Sequence, residues 1–173
     1  MIKKARCELL IVIVCGLPGV GKTTLSKALA PLIDAIILST DKIRKELIPN
    51  PTYSKKEREF VYEMLLLIAK YLHNAGKNCI LDATFNRKKF RNEVAKKLDL
   101  ASEQVFIVEC VCPKDIIISR LENRKNDWSD ADIQVYNKMA KIYEPVRGKH
   151  VTADTSKNPQ TTAKAVNKII QKR

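Results

Sequence analysis

Apolar and polar positions follow two different periods along the chain, and together they predict an α/β fold. Five short, nearly continuous apolar runs are typical of buried parallel strands, at 9–14, 35–38, 79–81, 105–112 and 150–153. Stretches with helical spacing lie between them, at 25–32, 42–47, 54–76, 88–98, 113–121, 129–143 and from 158 onwards. Alternating strands and helices predict a five-stranded parallel sheet with helices on both faces.

The longest predicted helix begins at a capping box formed by Ser54 and Glu57 and ends at Gly76. Its apolar face is predicted to comprise Phe60, Met64, Leu67, Ile68, Tyr71 and Leu72. A polar stretch at 125–129 suggests a loop, so that a small helical lid is expected at about 120–130. The chain shows no repeat, no low-complexity tract and no break in composition, and residues 1–173 are therefore expected to form one domain.

A glycine-rich segment follows the first predicted strand and carries the strongest motif. Residues 16–23 read Gly-Leu-Pro-Gly-Val-Gly-Lys-Thr, a full match to the phosphate-binding P-loop, and a strand and a helix flank it as the motif requires. The backbone N–H groups of such a loop and the following helix N-terminus bind phosphate oxygens. The residues predicted to bind ATP are Gly16, Leu17, Pro18, Gly19, Val20, Gly21, Lys22, Thr23 and Thr24. Lys22 is expected at the β- and γ-phosphates and Thr23 at Mg²⁺.

Two aspartates follow predicted strands, at the edge of the sheet where α/β proteins bind ligands. Asp41 follows the second strand and is placed to orient an acceptor hydroxyl and take its proton, with Arg44 one helical turn later to bind phosphate. Asp82 closes the third strand, as a Walker-B-like residue that holds Mg²⁺ or its waters does. A helix cap is the alternative role for Asp41, and a loop cap for Asp82.

Two arginines lie on the helix after the fourth predicted strand. Arg120 and Arg124 are four residues apart, on one face of that helix and at the base of the predicted lid. A guanidinium binds two phosphate oxygens at once, so both could stabilise charge in the transition state. The alternative is a pair of solvated arginines that contact Glu122 or Asp127.

Charge is the unusual feature of the composition, with 32 Lys and Arg against 19 Asp and Glu, a net charge of +13. This balance favours anionic partners, such as nucleotides, phosphorylated metabolites, nucleic acid or acidic lipid, without choosing among them. A basic group, Arg87, Lys88, Lys89 and Arg91, follows the third strand. It could contact an acceptor's phosphates, or it could be a solvated helix face.

The five cysteines are odd in number and have neither C-x-x-C spacing nor clustered histidines. They are expected to be reduced thiols of a cytoplasmic protein. Lys3, Lys4 and Arg6 before an apolar run imitate a secretory signal, but that run is short and leads directly into Gly16, so cleavage there would destroy the P-loop. No stretch approaches the length of a membrane span, and no pattern indicates an oligomeric state.

Taken together, these motifs resemble the small P-loop kinases of the polynucleotide-kinase-like group, which is related to 5′-hydroxyl polynucleotide kinases and seryl-tRNA kinases. The resemblance covers roughly residues 9–145. It implies a P-loop kinase fold, ATP and Mg²⁺ as ligands, and a residue matching Asp41 that activates the acceptor hydroxyl. It also implies that the arginine matching Arg44 contacts the acceptor, and that those matching Arg120 and Arg124 engage ATP from the lid. Asp82-Ala83-Thr84 stands where viral polynucleotide kinases often have Asp-Thr-Asn, which weakens the 5′-hydroxyl assignment.

The sequence therefore predicts a kinase that transfers the γ-phosphoryl group of ATP to a hydroxyl. RNA, DNA or a nucleotide is the leading acceptor, and a small metabolite is the alternative. A nucleic-acid-binding P-loop ATPase is the rival from another class. The pair of Asp41 and Arg44 favours the kinase, because an ATPase switch needs no group that activates an acceptor.

Overall fold

The computed structural model of the protein describes residues 9–123 and 128–172. Its sheet has five strands in the order β2-β3-β1-β4-β5, and every neighbouring pair is parallel. The strands are β1 (Ile11–Cys15), β2 (Ala35–Ser39), β3 (Asn78–Asp82), β4 (Val105–Val111) and β5 (Val151–Asp154). The predicted α/β fold with a five-stranded parallel sheet is confirmed.

Seven α-helices connect and follow the strands within the described residues. They are α1 (Lys22–Leu29), α2 (Thr40–Leu47), α3 (Lys55–Asn74), α4 (Lys88–Leu98), α5 (Lys114–Glu122), α6 (Ile133–Ile142) and α7 (Pro159–Ile170). Because parallel strands need crossover connections, these helices lie on the two faces of the sheet. No helix among the described residues is both long enough and apolar enough to cross a bilayer.

The core has two halves, one on each face of the sheet, and β1 separates them. Alternate residues of a strand point to opposite faces, so Ile11 and Ile13 pack with α3 and α4, whereas Val12 and Val14 pack with α1, α5 and α7. All residues of β1 are fully buried. The central strand is therefore rigidly held, and the P-loop leaves directly from its carboxyl end.

The predicted apolar face of α3 is only partly correct: Met64 and Leu72 are half-buried against the core, whereas the other four residues are exposed. Phe60, Leu67 and Tyr71 are 49%, 46% and 71% exposed. The helix instead buries Val61, Leu65, Leu66, Ala69 and His73. Apolar residues surround most of this helix, so helical periodicity alone does not identify the side that packs. The small or branched side chains of Val61 and Ala69 allow close approach to the sheet, and Leu65 and Leu66 are buried beside them.

The caps of two helices decide how the neighbouring loops lie. Ser54 caps α3 as predicted, since its Oγ accepts a hydrogen bond from the Glu57 N–H at 3.3 Å. The alternative role of Asp41 as a helix cap is wrong, because α2 begins at Thr40 with Ser39 in the cap position. Asp41 thus lies in the first turn of α2, where its carboxylate is favoured by the helix dipole.

The four cysteines in the described part of the chain are free thiols. Cys15, Cys79 and Cys110 are buried, and burial raises the pKa of Cys15 and of Cys79 to about 11. A thiol with a raised pKa is a poor nucleophile. These residues behave as core side chains, as the sequence predicts; Cys7 lies outside the described residues.

Candidate active site

A cleft of about 1460 Å³ opens at the carboxyl ends of the strands. Its lining comes from the P-loop, from α1, α2, α3 and α4, and from residues of α6 and α7. The site residues that face it include Lys22, Thr23, Asp41, Arg44 and Arg120. Pockets for one small molecule usually hold about 300–1,000 Å³. The cleft therefore has room for a nucleotide and a second ligand together.

The P-loop has the backbone that phosphate binding requires. Gly16 and Gly21 have φ angles of 140° and 97°, which residues with a side chain rarely adopt. A Cβ on Gly16 would lie 2.7 Å from the carbonyl oxygen of Cys110. Gly21 occupies the cap position of α1 and has no side chain to bond the first N–H groups of the helix. Those groups are suited to an anion.

Lys22 and Thr23 open α1 at the mouth of the loop. The Lys22 Nζ donates to the Leu17 carbonyl oxygen at 3.0 Å, so the ammonium folds back over the loop. The Thr23 hydroxyl donates to Asp82 Oδ2 at 2.6 Å, and Asp82 is buried at the end of β3. The structure therefore brings together the two residues that the sequence assigned to Mg²⁺, although they are 59 positions apart.

This pair of oxygen donors fits Mg²⁺, which prefers oxygen and usually takes one or two protein ligands beside substrate phosphates and water. Within residues 9–123 and 128–172, no group of three or more His, Cys, Asp and Glu side chains could hold a metal without other ligands. The donor set is therefore suited to a metal that arrives with a nucleotide.

Asp41 and Arg44, which both lie on α2, contact each other in the wall of the cleft. The Arg44 Nη1 donates to Asp41 Oδ1 at 3.1 Å. The Asp41 side chain is 37% exposed, whereas that of Arg44 is only 6% exposed. The buried guanidinium lies over the ring of Tyr53, 4.8 Å from its centroid, and its Nε lies 3.0 Å from Glu57 Oε1. A carboxylate open to the cleft and a fixed cation are thus adjacent.

Tyr53 links the pair of Asp41 and Arg44 to Asp130, which lies at the end of the predicted lid. Its hydroxyl donates to Asp130, and the Lys45 Nζ donates to the other oxygen of the same carboxylate at 2.6 Å. The hydrogen bonds from Lys45 and Tyr53 hold the pKa of Asp130 below its usual value. Burial, followed by the bond to Asp130, raises the pKa of Tyr53. Residue 130 is therefore anchored to α2 and to the loop before α3.

An aromatic group forms part of the cleft wall beyond Arg44. The rings of Tyr62 and Phe90 stack at 15°, with centroids 5.6 Å apart, and Phe85 meets Tyr62 edge-on. The Tyr62 oxygen accepts a hydrogen bond from the Phe85 N–H at 3.1 Å, and burial raises the pKa of Tyr62 to about 12. The cations Arg58 and Arg87 also line the cleft. An apolar, planar group with an anionic substituent would suit it.

The predicted lid arginines are only partly described. Arg120 lines the cleft, but its guanidinium donates to the carbonyl oxygens of Val20 at 3.2 Å and Thr155 at 2.7 Å. The Thr155 hydroxyl also donates to Val20. Arg120 and Thr155 therefore tie the P-loop to the end of β5. Arg124 lies outside the described residues, as do the lid positions 125–127.

Arg91 does not belong to the predicted basic surface group. It is 3% exposed, and its guanidinium donates to the carbonyl oxygens of Phe85 and Glu144, both at 2.7 Å. Arg91 fixes the loop after β3 against the segment after α6, so it is not available to an acceptor's phosphates. Lys88 and Lys89 remain exposed.

Four residues at the site carry no motif in the sequence: Tyr53, Glu57, Tyr62 and Thr155. The only signal in the sequence was the capping box, which gave Glu57 a local role. Tyr53, Tyr62 and Thr155 come close to the predicted site residues only in the folded chain.

Comparison with known proteins identifies a family and several relatives. A family profile described as "AAA domain" matches residues 11–146. An uncharacterized protein of Mycobacterium tuberculosis is 30% identical over 144 residues, which are 75% of this chain and 28% of that protein. The chain thus spans just over a quarter of that relative's length. A probable adenylyl-sulfate kinase of Archaeoglobus fulgidus is 26% identical over 156 residues, 86% of this chain and 97% of that protein.

Solved structures with the same fold include three kinases. A sugar kinase of Janibacter has a TM-score of 0.74 at 15% identity, and covers 94% of this chain and 95% of its own. An APS kinase of Mycobacterium tuberculosis in complex with AMPPNP and APS has a TM-score of 0.72 at 16% identity, with coverage of 95% and 98%. A gluconokinase of Sinorhizobium meliloti has a TM-score of 0.68 at 14% identity, with coverage of 96% and 94%. These likenesses show that the fold is that of P-loop kinases.

Proposed function

The chain belongs to the AAA domain family of P-loop proteins, and on this premise we propose that it is a kinase that transfers the γ-phosphoryl group of ATP to a hydroxyl. The observation that carries the proposal is the pair of Asp41 and Arg44 in the same cleft as the P-loop. A P-loop alone is compatible with simple ATP hydrolysis. A carboxylate with an adjacent fixed cation is what an acceptor site adds.

On the nucleotide side, the backbone of residues 16–21 and the N-terminus of α1 bind the phosphates. Lys22 turns from the Leu17 carbonyl oxygen to the β- and γ-phosphates, where its positive charge offsets the negative charge of the transferring group. Thr23 and Asp82 would hold Mg²⁺, which would neutralise negative charge on the phosphates of ATP.

On the acceptor side, Asp41 accepts a hydrogen bond from the acceptor hydroxyl and orients its oxygen toward the γ-phosphorus. It receives the proton as the new P–O bond forms and the bond from the γ-phosphorus to the bridging oxygen breaks, so that ADP leaves. Arg44 holds an anionic part of the acceptor or the transferring phosphoryl group. Arg120, and Arg124 with it, could also contact the phosphates from the lid.

For the acceptor we favour a small anionic molecule with a planar ring, such as a nucleotide. The stacked Tyr62 and Phe90 offer an apolar aromatic surface, and Arg58 and Arg87 line the same cleft. The named relatives support a small acceptor, since they are kinases of adenylyl sulfate, a sugar and gluconate. A cytoplasmic location, where ATP and Mg²⁺ are abundant and thiols stay reduced, is part of this proposal.

A polynucleotide acceptor, as in the polynucleotide-kinase-like group, is the second candidate. It is favoured by the net charge of +13 and by the exposed Lys88 and Lys89, which follow the cleft residue Arg87. RNA or DNA bound along these lysines would present a terminal hydroxyl to Asp41.

The test is incubation of the protein with γ-labelled ATP, Mg²⁺ and separate pools of nucleotides, sugars, RNA and DNA. We expect label in a nucleotide, and Lys22→Ala should lower the turnover number at saturating ATP by about 10²-fold or more. Lys164→Ala, a change of an exposed lysine on α7, is the matched control and should leave turnover unchanged. Label found only in inorganic phosphate, with every pool, would show an ATPase and refute the kinase.

Asp41→Asn separates chemistry from nucleotide binding. Transfer should fall by about 10²-fold while the KM for ATP stays within a few-fold, because the lost group acts on the acceptor. Asp115→Asn is the control, since Asp115 also lies in the first turn of a helix, α5, and shares the same dipole effect. Loss of ATP binding in step with turnover would assign Asp41 to the metal or to the fold.

A further inference from the structure

We propose that Glu57 is a positioning residue for phosphoryl transfer, which holds Arg44 in the orientation that leaves Asp41 free to act as the base. The inference rests on the proposed roles of Asp41 and Arg44. It adds a third residue, from α3, to a pair that lies entirely on α2. Glu57 would act through Arg44 and would not itself touch the acceptor.

The contact between Glu57 and Arg44 is a buried pair of opposite charges. Their side chains are 8% and 6% exposed, and Arg44 Nε lies 3.0 Å from Glu57 Oε1. Removing two charges from water costs several kcal/mol per ion, and their attraction offsets this only when geometry and further hydrogen bonds are good. The carboxylate of Glu57 takes no part in the cap of α3, in which the Glu57 N–H donates to Ser54 Oγ. The buried pair is therefore a feature separate from the cap.

Glu57 is itself held rigidly by the loop before α3. Its Oε2 accepts hydrogen bonds from the Thr52 N–H at 2.6 Å, the Thr52 hydroxyl at 2.8 Å and the Tyr53 N–H at 3.1 Å. Burial by itself would raise the pKa of Glu57, but the bonds from Thr52 and Tyr53 outweigh it and lower that pKa. Oε2 is thus fully used by the loop, and Oε1 lies 3.0 Å from Arg44 Nε in a charge contact without a hydrogen bond.

Arg44 is in consequence held from three directions. Glu57 contacts its Nε, the ring of Tyr53 lies against its face at 4.8 Å, and Asp41 meets Nη1 at 3.1 Å. A free guanidinium prefers to bond both oxygens of a carboxylate at once. Because Glu57 occupies the Nε edge, Arg44 contacts Asp41 through Nη1 at Oδ1. Without Glu57, Arg44 would turn to a two-bond pair with Asp41, blocking the base and leaving the acceptor side.

Glu57→Gln removes the charge that holds Arg44 and keeps the cap of α3, which uses the backbone N–H of residue 57. The amide oxygen of glutamine can still accept the bonds from Thr52 and Tyr53, but the charge that attracts Arg44 is gone. Glu46→Gln is the control, because Glu46 lies on α2 near Arg44 and forms an exposed pair with Lys42. Both variants should fold, and thermal unfolding should confirm this before any comparison.

The first experiment needs no acceptor. Amide-type signals of arginine Nε–H groups are recorded by ¹H–¹⁵N NMR, and that of Arg44 is assigned by its loss in Arg44→Lys. We expect slow solvent exchange of this proton in the wild type and in Glu46→Gln, and at least about tenfold faster exchange in Glu57→Gln, since a proton released from a buried ion pair reaches water more often. An unchanged exchange rate in Glu57→Gln would overturn the proposal.

The second experiment is a double-mutant cycle on phosphoryl transfer, with the acceptor that the γ-labelled ATP assay identifies. Glu57→Gln should raise the KM of the acceptor and lower kcat by about tenfold each, with the KM of ATP within about twofold. The double variant with Arg44→Ala should be no worse than Arg44→Ala alone, because Glu57 acts through Arg44. Additive losses would overturn the proposal. Absence of transfer by the wild type would instead refute the proposed function, and the NMR comparison would still decide whether Glu57 holds Arg44.

Discussion

Arg120 offers the sharpest test of what the tertiary structure adds to the motifs. The sequence placed this residue at the base of a lid, on the phosphates of ATP. In the structure its guanidinium donates to the carbonyl oxygens of Val20 and Thr155, at 3.2 and 2.7 Å. We therefore expect Arg120→Ala to lower stability and ATP affinity together, because the P-loop loses its tie to the end of β5.

The size of the effect follows from the bonds that are lost. Hydrogen bonds from charged donors contribute about 1.5–3 kcal/mol each, and a half-buried site, where water replaces part of the interaction, should keep about 1 kcal/mol. Two such bonds give about 2 kcal/mol, or a decrease in Tm of about 4–8 °C for a chain of this size. Arg120→Lys should lower the free energy of unfolding by nearly as much, because an ammonium group lacks the planar fork of a guanidinium, which spans two carbonyl oxygens.

The assay is thermal unfolding with ATP titration, and Arg147→Ala is the control for removal of an exposed arginine. The control should stay within about 0.5 kcal/mol of the wild type. In Arg120→Ala the Kd of ATP should rise by about tenfold, as a loosened P-loop must be ordered by the ligand. An unchanged Tm and Kd together with a large fall in kcat would refute this reasoning, and would assign Arg120 to the transition state.

Three further predictions follow from the described contacts. Leu65→Ala should cost about 2–5 kcal/mol of unfolding free energy in denaturant titration, whereas Leu67→Ala, on the exposed side of α3, should cost less than about 0.5 kcal/mol. Replacing Lys88 and Lys89 with Ala should leave kcat/KM for a small acceptor within about twofold; a fall of about two in the salt slope of RNA-dependent transfer would favour the polynucleotide instead. The pKa of Asp130 is lowered in the folded state, so its bonds to Lys45 and Tyr53 should hold at neutral pH and be lost as the pH falls through that lowered value. Fluorescence of the single tryptophan should report this change, and Asp130→Asn should lack it.

Much of the nucleotide site could be predicted from the sequence because its parts are local. The P-loop is a continuous segment, and its glycines are needed by the backbone itself: Gly16 and Gly21 have the positive φ angles that the motif implies. The positions of Asp41 and Asp82 followed from one rule of parallel sheets: the residues that come after each strand meet at the same edge of the sheet. That rule placed Asp82 beside Thr23, and it placed Asp41 in the same cleft as Thr23.

The role of Glu57 shows where local patterns stop. In the sequence it completes a capping box, and the cap is present. However, its carboxylate turns to the loop before α3 and to Arg44, thirteen positions away on another helix. Whether a side chain bonds its own helix or a neighbour depends on which helix packs beside it.

The sequence alone determined the order of strands and helices along the chain, the P-loop and the carboxylates at the strand ends. Each of these depends on short-range periodicity or on chain direction. The packed face of α3, the burial of Arg91 and the contacts of Arg120 were decided by the tertiary structure. A helix with apolar residues on most sides packs whichever side fits closest to the sheet, so Leu65 is buried and Leu67 is not. A long cationic side chain is buried only where carbonyl oxygens from distant segments converge on it, and no spacing along the chain records that convergence.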